Sequence, residues 1–162
     1  GQFLLFAGGG GSEQAVEVPL EALLAELAAR YDGRPLELDL SPVQAWVQPI
    51  ALGRAVANLI DNALSYGEPP VRLRLRPLPR QGFELEVWDQ GQGIAEEQRS
   101  QALLPFQRLD QARGGHGHCG LGLSIAQRVA RAHGGDVSLI AGESSGFCVR
   151  FTGHSLSPRQ AS

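Results

Sequence analysis

Two alternating segments joined by a short turn constrain the fold of this chain more than any other feature. Apolar and polar residues alternate over 71–78 (VRLRLRPL) and over 83–89 (FELEVWD), which is typical of β-strands that bury one face. The turn residues between them, 79–82, predict that the two strands pair as an antiparallel hairpin. A second pair of segments, 136–142 (DVSLIAG) and 146–152 (GFCVRFT), predicts a final hairpin. The chain is therefore predicted to contain a largely antiparallel sheet.

Helical periodicity accounts for much of the remaining chain. Apolar residues recur at helical spacing over 19–31, 50–66 and 121–133, and a shorter helix is predicted over 95–103. In the first of these helices, the proline at position 19 is predicted to be the first helical residue. The segment PLELDLS alternates like one more strand. Helices interleaved with antiparallel hairpins predict an α/β fold, a two-layer α/β sandwich.

Two details of this pattern concern charged side chains. Alternation puts Arg72, Arg74 and Arg76 on one face of their strand. Such a stripe could bind phosphate, but a solvated outer face of the sheet is the favoured interpretation. At the end of the third long helix, His133 precedes two glycines. We predict that it is a cation stabilised by the negative end of the helix dipole.

Composition limits the classes of function. The chain has 162 residues and a net charge of -3, with acidic and basic residues interspersed. No nucleic-acid or anionic-membrane surface is therefore expected. Two cysteines, Cys119 and Cys148, are too few for a disulfide framework and are typical of a reducing compartment, so we expect a cytoplasmic domain. No apolar run approaches the roughly 20 residues that span a bilayer.

The two ends of the sequence differ from its centre. An apolar run over 3–7 is followed by four glycines, 8–11, which are typical of a flexible linker. Because the chain lacks an initiating methionine and begins inside this run, we expect a fragment of a longer protein. We assign residues 1–15 to a preceding helix and linker, residues 16–153 to the folded domain, and residues 154–162 to a disordered tail.

A polar stripe interrupts the predicted helix 50–66. Asn58, Asn62 and Tyr66 are spaced four residues apart, so their side chains lie along one side of the helix, beside the apolar stripe. An amide oxygen is a hard neutral ligand that Mg²⁺ accepts together with phosphates and waters, and a tyrosine ring can pack against a nucleobase. An exposed polar surface explains the stripe equally well at this point.

Two glycine-containing motifs could complete a ligand site with this stripe. Asp89 ends a predicted strand before Gly91 and Gly93, where its carboxylate could accept a hydrogen bond from a ligand amine. Taken alone, this motif is more often an ordinary turn. The segment GLGLSIAQRVA, from Gly120, enters a helix at once, so its backbone N–H groups could bind phosphate. The glycine-rich residues 107–119 before it predict a mobile lid.

Together, and in this order, these motifs resemble the catalytic ATP-binding domain of bacterial sensor histidine kinases, members of the Bergerat-fold ATPase superfamily. NLIDNALSYG is similar to the asparagine box, DQGQGI to the first glycine box, PFQRLD to the phenylalanine box and GLGLSIAQRVARAHGG to the second glycine box. The resemblance covers about residues 16–152, and RAVANLIDNA with EEQRSQALLPFQR brings it nearest to osmosensor-type kinases. It implies a mixed, mostly antiparallel sheet covered on one face by three helices.

The resemblance implies a role for each matching residue. Asn62 would ligate the Mg²⁺ that bridges the ATP phosphates, Asn58 would help hold the phosphates, and Tyr66 would contact adenine. Asp89 would accept a hydrogen bond from the adenine amino group. Arg108 would reach the phosphates and, with Asn58, is an implied catalytic residue. The remaining implied ATP contacts are Gly91, Gly93, Ile94, the lid anchor Phe106, Gly120, Leu121, Gly122 and Leu123.

The resemblance also implies the reaction and the partners. Hydrolytic relatives carry a glutamate where this chain has Asn58, and an amide cannot act as a general base near neutral pH. Transfer of the γ-phosphate to a protein histidine is therefore favoured over ATP hydrolysis. The acceptor would lie on a separate dimerisation domain that this chain lacks, and a response regulator receiver domain would take the phosphate next. We expect the isolated chain to be monomeric and its parent to be a homodimeric inner-membrane sensor.

Two departures from the family pattern leave an alternative open. Ser65 stands near a position where relatives often carry a basic residue, and Cys119 stands where many carry a hydroxyl. The alternative is therefore a degenerate sensor module that binds a nucleotide without transferring phosphate. His116, His118 and Cys119 have zinc-like spacing but lack a distant fourth ligand, so Mg²⁺ is the metal that we predict.

Overall fold

The computed structural model describes residues 13–91, 119–142 and 146–156. These residues form three α-helices, namely α1 (Leu20–Ala28), α2 (Pro49–Tyr66) and α3 (Cys119–Ala132). They also form seven strands: β1 (Val16–Pro19), β2 (Leu36–Leu40), β3 (Gln44–Val47), β4 (Val71–Leu78), β5 (Gly82–Asp89), β6 (Val137–Ala141) and β7 (Phe147–His154). The three long helices are confirmed, whereas the short helix predicted over 95–103 lies outside the described residues.

Five of the strands form one sheet in the order β2, β4, β5, β7, β6. Strand β2 is parallel to β4, and every other pair of neighbours is antiparallel. Leu75 of β4 lies opposite Leu85 of β5, and Leu139 of β6 lies opposite Val149 of β7. Both predicted hairpins are thereby confirmed, as is the mixed, mostly antiparallel sheet. A separate two-stranded antiparallel sheet joins β1 to β3.

The helices cover one face of the five-stranded sheet and form the core with it. On that face β4 contributes Val71, Leu73 and Leu75, all fully buried. The other members of this core include Leu85 and Val87 of β5, Phe151 of β7, Leu52, Val56, Leu59 and Ile60 of α2, and Leu123, Ala126 and Ala130 of α3. Burial of each large apolar side chain stabilises the fold by about 1.5–3 kcal/mol. No helix among the described residues has the length and apolarity needed to cross a bilayer.

The opposite face of the sheet carries the arginines of β4 in a network of ion pairs. Arg72 lies 3.2 Å from Glu37, and Arg76 lies 2.6 Å from Asp39. Arg74 lies between Asp39 and Glu86, at 3.4 Å from each. Each of these arginines has a carboxylate partner, and part of its side chain reaches solvent. The arginines therefore lie on a solvated outer face of the sheet, as predicted. A phosphate-binding stripe is not supported.

Strands β1 and β3 were not predicted, because four residues each are too few to show an alternating pattern. Pro19 is extended, with φ of -76° and ψ of 112°, and pairs with Gln44 as the last residue of β1. Helix α1 begins one residue later, so the prediction of Pro19 as the first helical residue is wrong. A proline has no N–H to donate, and it is tolerated at the edge of a sheet for the same reason that it is tolerated at a helix start.

The fold begins before the predicted boundary at residue 16. The Glu13 carboxylate accepts hydrogen bonds from the backbone N–H groups of Ile50 at 2.7 Å and Ala51 at 2.9 Å. Glu13 therefore caps the N-terminus of α2, where backbone donors have no partner inside the helix and the dipole favours a negative charge. Ala15 is buried. Residues 13–15, which we expected in the linker, are part of the folded domain.

The fold also continues past the predicted boundary at residue 153. His154 is the last residue of β7. The Ser155 hydroxyl oxygen accepts the backbone N–H of Trp46 at 2.8 Å, and the backbone N–H of Leu156 donates to the Trp46 carbonyl at 2.8 Å. Residues 154–156, which we expected in a disordered tail, are therefore part of the folded domain, and Ser155 and Leu156 contact Trp46 of β3. Residues 157–162 lie outside the described part of the chain.

His133 differs from its prediction as a cation. Its ring is fully buried, and Nε2 lies 3.1 Å from the backbone N–H of Gln48, which is only a donor. Nε2 must therefore be the unprotonated acceptor, and Nδ1–H donates to the carbonyl of Val129 at 2.9 Å. Burial lowers the pKa of His133, so the ring is neutral rather than a charge at the helix end.

Candidate functional site

The predicted polar stripe lies on α2, beside the buried face of that helix. Asn58, Asn62 and Tyr66 are each partly buried, while Leu59 and Ile60 between them point into the core. The Nδ2 atom of Asn62 is buried and has no hydrogen-bond partner among the described residues. A buried donor without a partner costs about 1–3 kcal/mol. With respect to the described residues, the Asn62 amide therefore has a buried donor that a ligand could pair.

Asp89 ends β5 and is buried, with 6% of the residue exposed. Its Oδ1 accepts the backbone N–H of Gly91 at 2.7 Å and that of Glu68 at 3.4 Å. Burial raises the pKa of Asp89, and the two backbone hydrogen bonds act in the opposite direction by stabilising the charged form. The carboxylate is therefore a buried acceptor that the backbone holds in one orientation.

The end of α2 and the end of β5 are joined directly. Gly67 follows α2, and its N–H donates to the Ala63 carbonyl at 3.0 Å. One residue later, the Glu68 carbonyl accepts the Gln90 N–H at 2.8 Å, beside the contact between the Glu68 N–H and Asp89. The structure thereby brings the C-terminal end of the polar stripe next to the Asp89 carboxylate, although 23 positions separate Tyr66 from Asp89 in the sequence.

Helix α3 packs against α2 and begins with the second glycine motif. Gly120, Leu121 and Gly122 lie in its first turn. Leu123 is 2% exposed and belongs to the hydrophobic core together with residues of α2. The first turn of a helix has backbone N–H groups without intrahelical partners, which suits an anion.

Several predicted site residues lie outside the described part of the chain. These are Gly93, Ile94, Phe106 and Arg108, together with the predicted lid before α3. The histidines considered for zinc, His116 and His118, lie there as well. Their predicted roles stay predictions.

Two residues that support the site were missed by the sequence patterns. Glu13 caps α2 from 37 positions away, and His133 holds the residue that precedes α2, Gln48, from 85 positions away. Capping patterns in a sequence reach only three or four residues, so no local signal could have identified either contact.

Comparison with known families identifies the class of this fold and site. The family model described as "Histidine kinase-, DNA gyrase B-, and HSP90-like ATPase" matches residues 47–155. This range begins just before α2 and includes both Asp89 and the whole of α3. The chain belongs to this family of ATPases.

Individual relatives narrow the class to histidine kinases. The sensor histidine kinase GtrS of Pseudomonas aeruginosa is 40% identical over 129 residues, which cover 78% of this chain and 26% of GtrS. The histidine-protein kinase/phosphatase MprB of Mycolicibacterium smegmatis is 36% identical over 118 residues, which cover 72% of this chain and 24% of MprB. The chain spans about a quarter of the length of these curated relatives.

Solved structures agree with this assignment. The histidine kinase domain of the Escherichia coli osmosensor EnvZ matches with a TM-score of 0.68 and 32% identity, over 91% of this chain and 93% of that domain. The resemblance to sensor histidine kinases is therefore confirmed, and the chain is an ATPase domain of the histidine kinase type.

Proposed function

We propose that this chain binds ATP with Mg²⁺ and provides the catalytic half of a sensor histidine kinase, which transfers the γ-phosphate to a histidine of a separate dimerisation domain. The observation that carries the proposal is the position of the Asp89 carboxylate beside the end of the Asn58, Asn62 and Tyr66 stripe. One end of this site offers an acceptor for a base amine. The other offers amide groups for phosphate and metal.

Adenine recognition rests on Asp89. Its Oδ1 is held by two backbone N–H groups, so the carboxylate has a fixed orientation before any ligand binds. A buried acceptor with a fixed orientation selects a ligand that donates, because a ligand without a donor leaves the acceptor desolvated and unpaired. The exocyclic amine of adenine is such a donor, whereas guanine presents a carbonyl at that position. Tyr66, at the end of the stripe, would contact the base.

The residues present fit a bound Mg²⁺. Asn62 offers a neutral amide oxygen, and Mg²⁺ is commonly held by a few protein oxygens together with substrate phosphates and water. The buried Nδ2 has no partner among the described residues and, as a donor, would suit a phosphate oxygen beside the metal. When bound, Mg²⁺ neutralises charge on the phosphates as they react. Asn58, one turn before Asn62, would contribute to the phosphate end.

The chemistry of Asn58 favours transfer over hydrolysis. An amide cannot take a proton from water near neutral pH, so the described part of the stripe contains no general base for hydrolysis. The first turn of α3 would contribute backbone N–H groups to the phosphates, and Arg108 a positive charge. The product would be a phosphohistidine on the dimerisation domain of a homodimeric parent in the inner membrane, from which a response regulator receiver domain takes the phosphate.

The test uses this chain with the dimerisation domain of its parent supplied separately. With γ-labelled ATP and Mg²⁺, we expect acid-labile phosphate on the acceptor domain and none on this chain. Transfer should be slow, since two untethered domains lack the effective concentration of a linked pair. ATP binding without transfer would instead favour the degenerate sensor module. Rapid phosphate release without an acceptor would favour a hydrolytic ATPase.

A further inference from the structure

Gly67 follows α2 in a backbone conformation that any residue can adopt. Its φ of -93° and ψ of -171° lie in the extended region, so a glycine is not needed there for backbone freedom. Glycines with a positive φ occur elsewhere in the described chain, at Gly33, Gly134 and Gly146. Another reason must explain the absence of a side chain at position 67.

The reason is steric, because a side chain at position 67 would collide with neighbouring atoms. A Cβ added to Gly67 would lie 2.5 Å from Cγ and 2.6 Å from Oδ2 of Asp89, closer than side chains approach one another in folded proteins. It would also lie 2.7 Å from the Ala63 carbonyl, which is fixed by its hydrogen bond to the Gly67 N–H. A side chain at residue 67 would therefore meet both the Asp89 carboxylate and the Ala63 carbonyl, and the carboxylate is the nearer of the two.

The other side of the carboxylate is also constrained. Its Oδ1 accepts from Gly91 at 2.7 Å and from Glu68 at 3.4 Å, so the carboxylate cannot move away from Gly67 without loss of these hydrogen bonds. Oδ2 faces Gly67. Any side chain at position 67 must therefore displace the acceptor atoms that a base would use.

We propose that Gly67 is a positioning residue for base specificity, because its missing side chain keeps the Asp89 carboxylate where it can accept the amine of adenine. The inference rests on the proposed function, since it assumes that Asp89 recognises the base. Gly67 would contribute to selection of an amino-substituted purine without contact to the phosphates. It would act together with Asp89 as one recognition unit.

The test compares Gly67→Ala with the matched control Gly53→Ala. Gly53 lies in α2, and a Cβ there meets nothing within 4 Å. Binding of ATP and of purine riboside triphosphate, which has the same phosphates but no amine, is measured by calorimetry. We expect Gly67→Ala to weaken ATP binding about 10- to 100-fold, the range for a lost hydrogen bond to a charged group. Binding of the purine riboside analogue should change much less, and Gly53→Ala should preserve the wild-type preference for ATP.

The outcomes separate this inference from the function on which it rests. If the wild type prefers ATP but Gly67→Ala keeps the same preference, the role of Gly67 is wrong while the ATP site stands. If the wild type binds both triphosphates equally, the recognition of adenine by Asp89 is wrong, and the inference fails with it. Equal weakening of both ligands by Gly67→Ala would show a general disturbance and would also overturn it.

A second variant covers the case in which Gly67→Ala does not fold. Asp89→Ala removes the Cγ and Oδ2 atoms that the new methyl group would approach. If the steric conflict of Gly67→Ala is with the Asp89 carboxylate, the double variant Gly67→Ala/Asp89→Ala should regain a cooperative thermal unfolding transition. A double variant that stays unfolded would instead assign the conflict to the Ala63 carbonyl and overturn the proposal.

Discussion

The backbone N–H of Gln48 donates to Nε2 of His133 at 3.1 Å, across 85 positions of sequence. Gln48 directly precedes α2, and His133 directly follows α3. The imidazole therefore joins the start of the helix that carries the polar stripe to the end of the helix that begins with the second glycine motif. The geometry requires a neutral ring, because a protonated Nε2 would face another donor.

His133 should make the stability of the domain depend on pH. Its folded-state pKa is lowered by burial, so the unfolded chain binds more protons at this position once the pH falls below the ordinary value of 6.5. The stabilisation is complete above that pH and is lost as the pH falls towards the folded-state pKa. We expect the free energy of unfolding in urea to decrease between pH 7.5 and 5.5, by at most about 1.4 kcal/mol per pH unit from this group.

The matched variants for this prediction are His133→Gln and His154→Gln. A glutamine at position 133 offers an oxygen acceptor that does not titrate, so the variant should lose part of the pH dependence. His154 is exposed, so His154→Gln should keep the wild-type profile. If the free energy of unfolding depends on pH in the same way in wild type and His133→Gln, the assignment of this pH dependence to His133 is wrong.

Asn62→Ala should separate function from stability. The substitution removes a buried donor that has no partner in the described part of the chain, and it replaces a weak helix former in α2 with alanine. We expect the free energy of unfolding to rise by about 0.5–2 kcal/mol while the Mg²⁺-dependent part of ATP binding is lost. Urea unfolding and ATP titrations with and without Mg²⁺ measure the two effects. A more stable variant that keeps full Mg²⁺-dependent binding would remove Asn62 from the metal site.

Asp89→Asn should weaken ATP binding with little effect on the fold. The asparagine oxygen can still accept from Gly91 and Glu68, whereas its amino group would meet the amine of adenine. We expect a loss of about 1–3 kcal/mol in the free energy of ATP binding, measured by calorimetry. The exposed Asp32 provides the control substitution Asp32→Asn. Equal affinity for ATP in wild type and Asp89→Asn would exclude Asp89 as the residue that recognises adenine.

The ion pairs of the outer sheet face should differ in their contribution to stability. Glu86 has a side chain only 5% exposed, and it pairs with Arg74 at 3.4 Å and Arg150 at 2.8 Å, while the Trp88 indole N–H donates to it at 3.0 Å. Glu86→Gln should lower the free energy of unfolding by about 1–3 kcal/mol, since it weakens several hydrogen bonds to a charged group.

Glu37→Gln is the matched control for Glu86→Gln. The pair of Glu37 with Arg72 is more than half exposed on both sides, so its loss should cost about 0–1 kcal/mol. Because the outer face lies across the sheet from α2, neither substitution should change ATP affinity. Chemical denaturation measures the free energy of unfolding of the two variants. A larger loss for Glu37→Gln than for Glu86→Gln would contradict the prediction that the buried carboxylate contributes more to stability.

The periodic spacing of apolar residues was sufficient to predict the main helices and strands. The alternation of β4 and β5 and the helical spacing of α2 each come from local physics, since one face of each element has to be buried. The same patterns fail for β1 and β3, where four residues cannot establish a period and where pairing with a distant segment provides the hydrogen bonds. The predicted domain ends failed for a similar reason, because Glu13 and Ser155 are held by partners far away in the sequence.

For the site, the amino-acid sequence is enough to identify the available chemical groups: the amides of Asn58 and Asn62, the ring of Tyr66, the carboxylate of Asp89 and the glycines in the first turn of α3. Residue type and spacing carry that information directly. Tertiary structure alone decided that Asp89 lies beside the end of α2, that Gly67 has no room for a side chain, and that His133 is neutral. Each of these depends on burial and on contacts between distant segments, because desolvation and close packing arise only after the chain has folded.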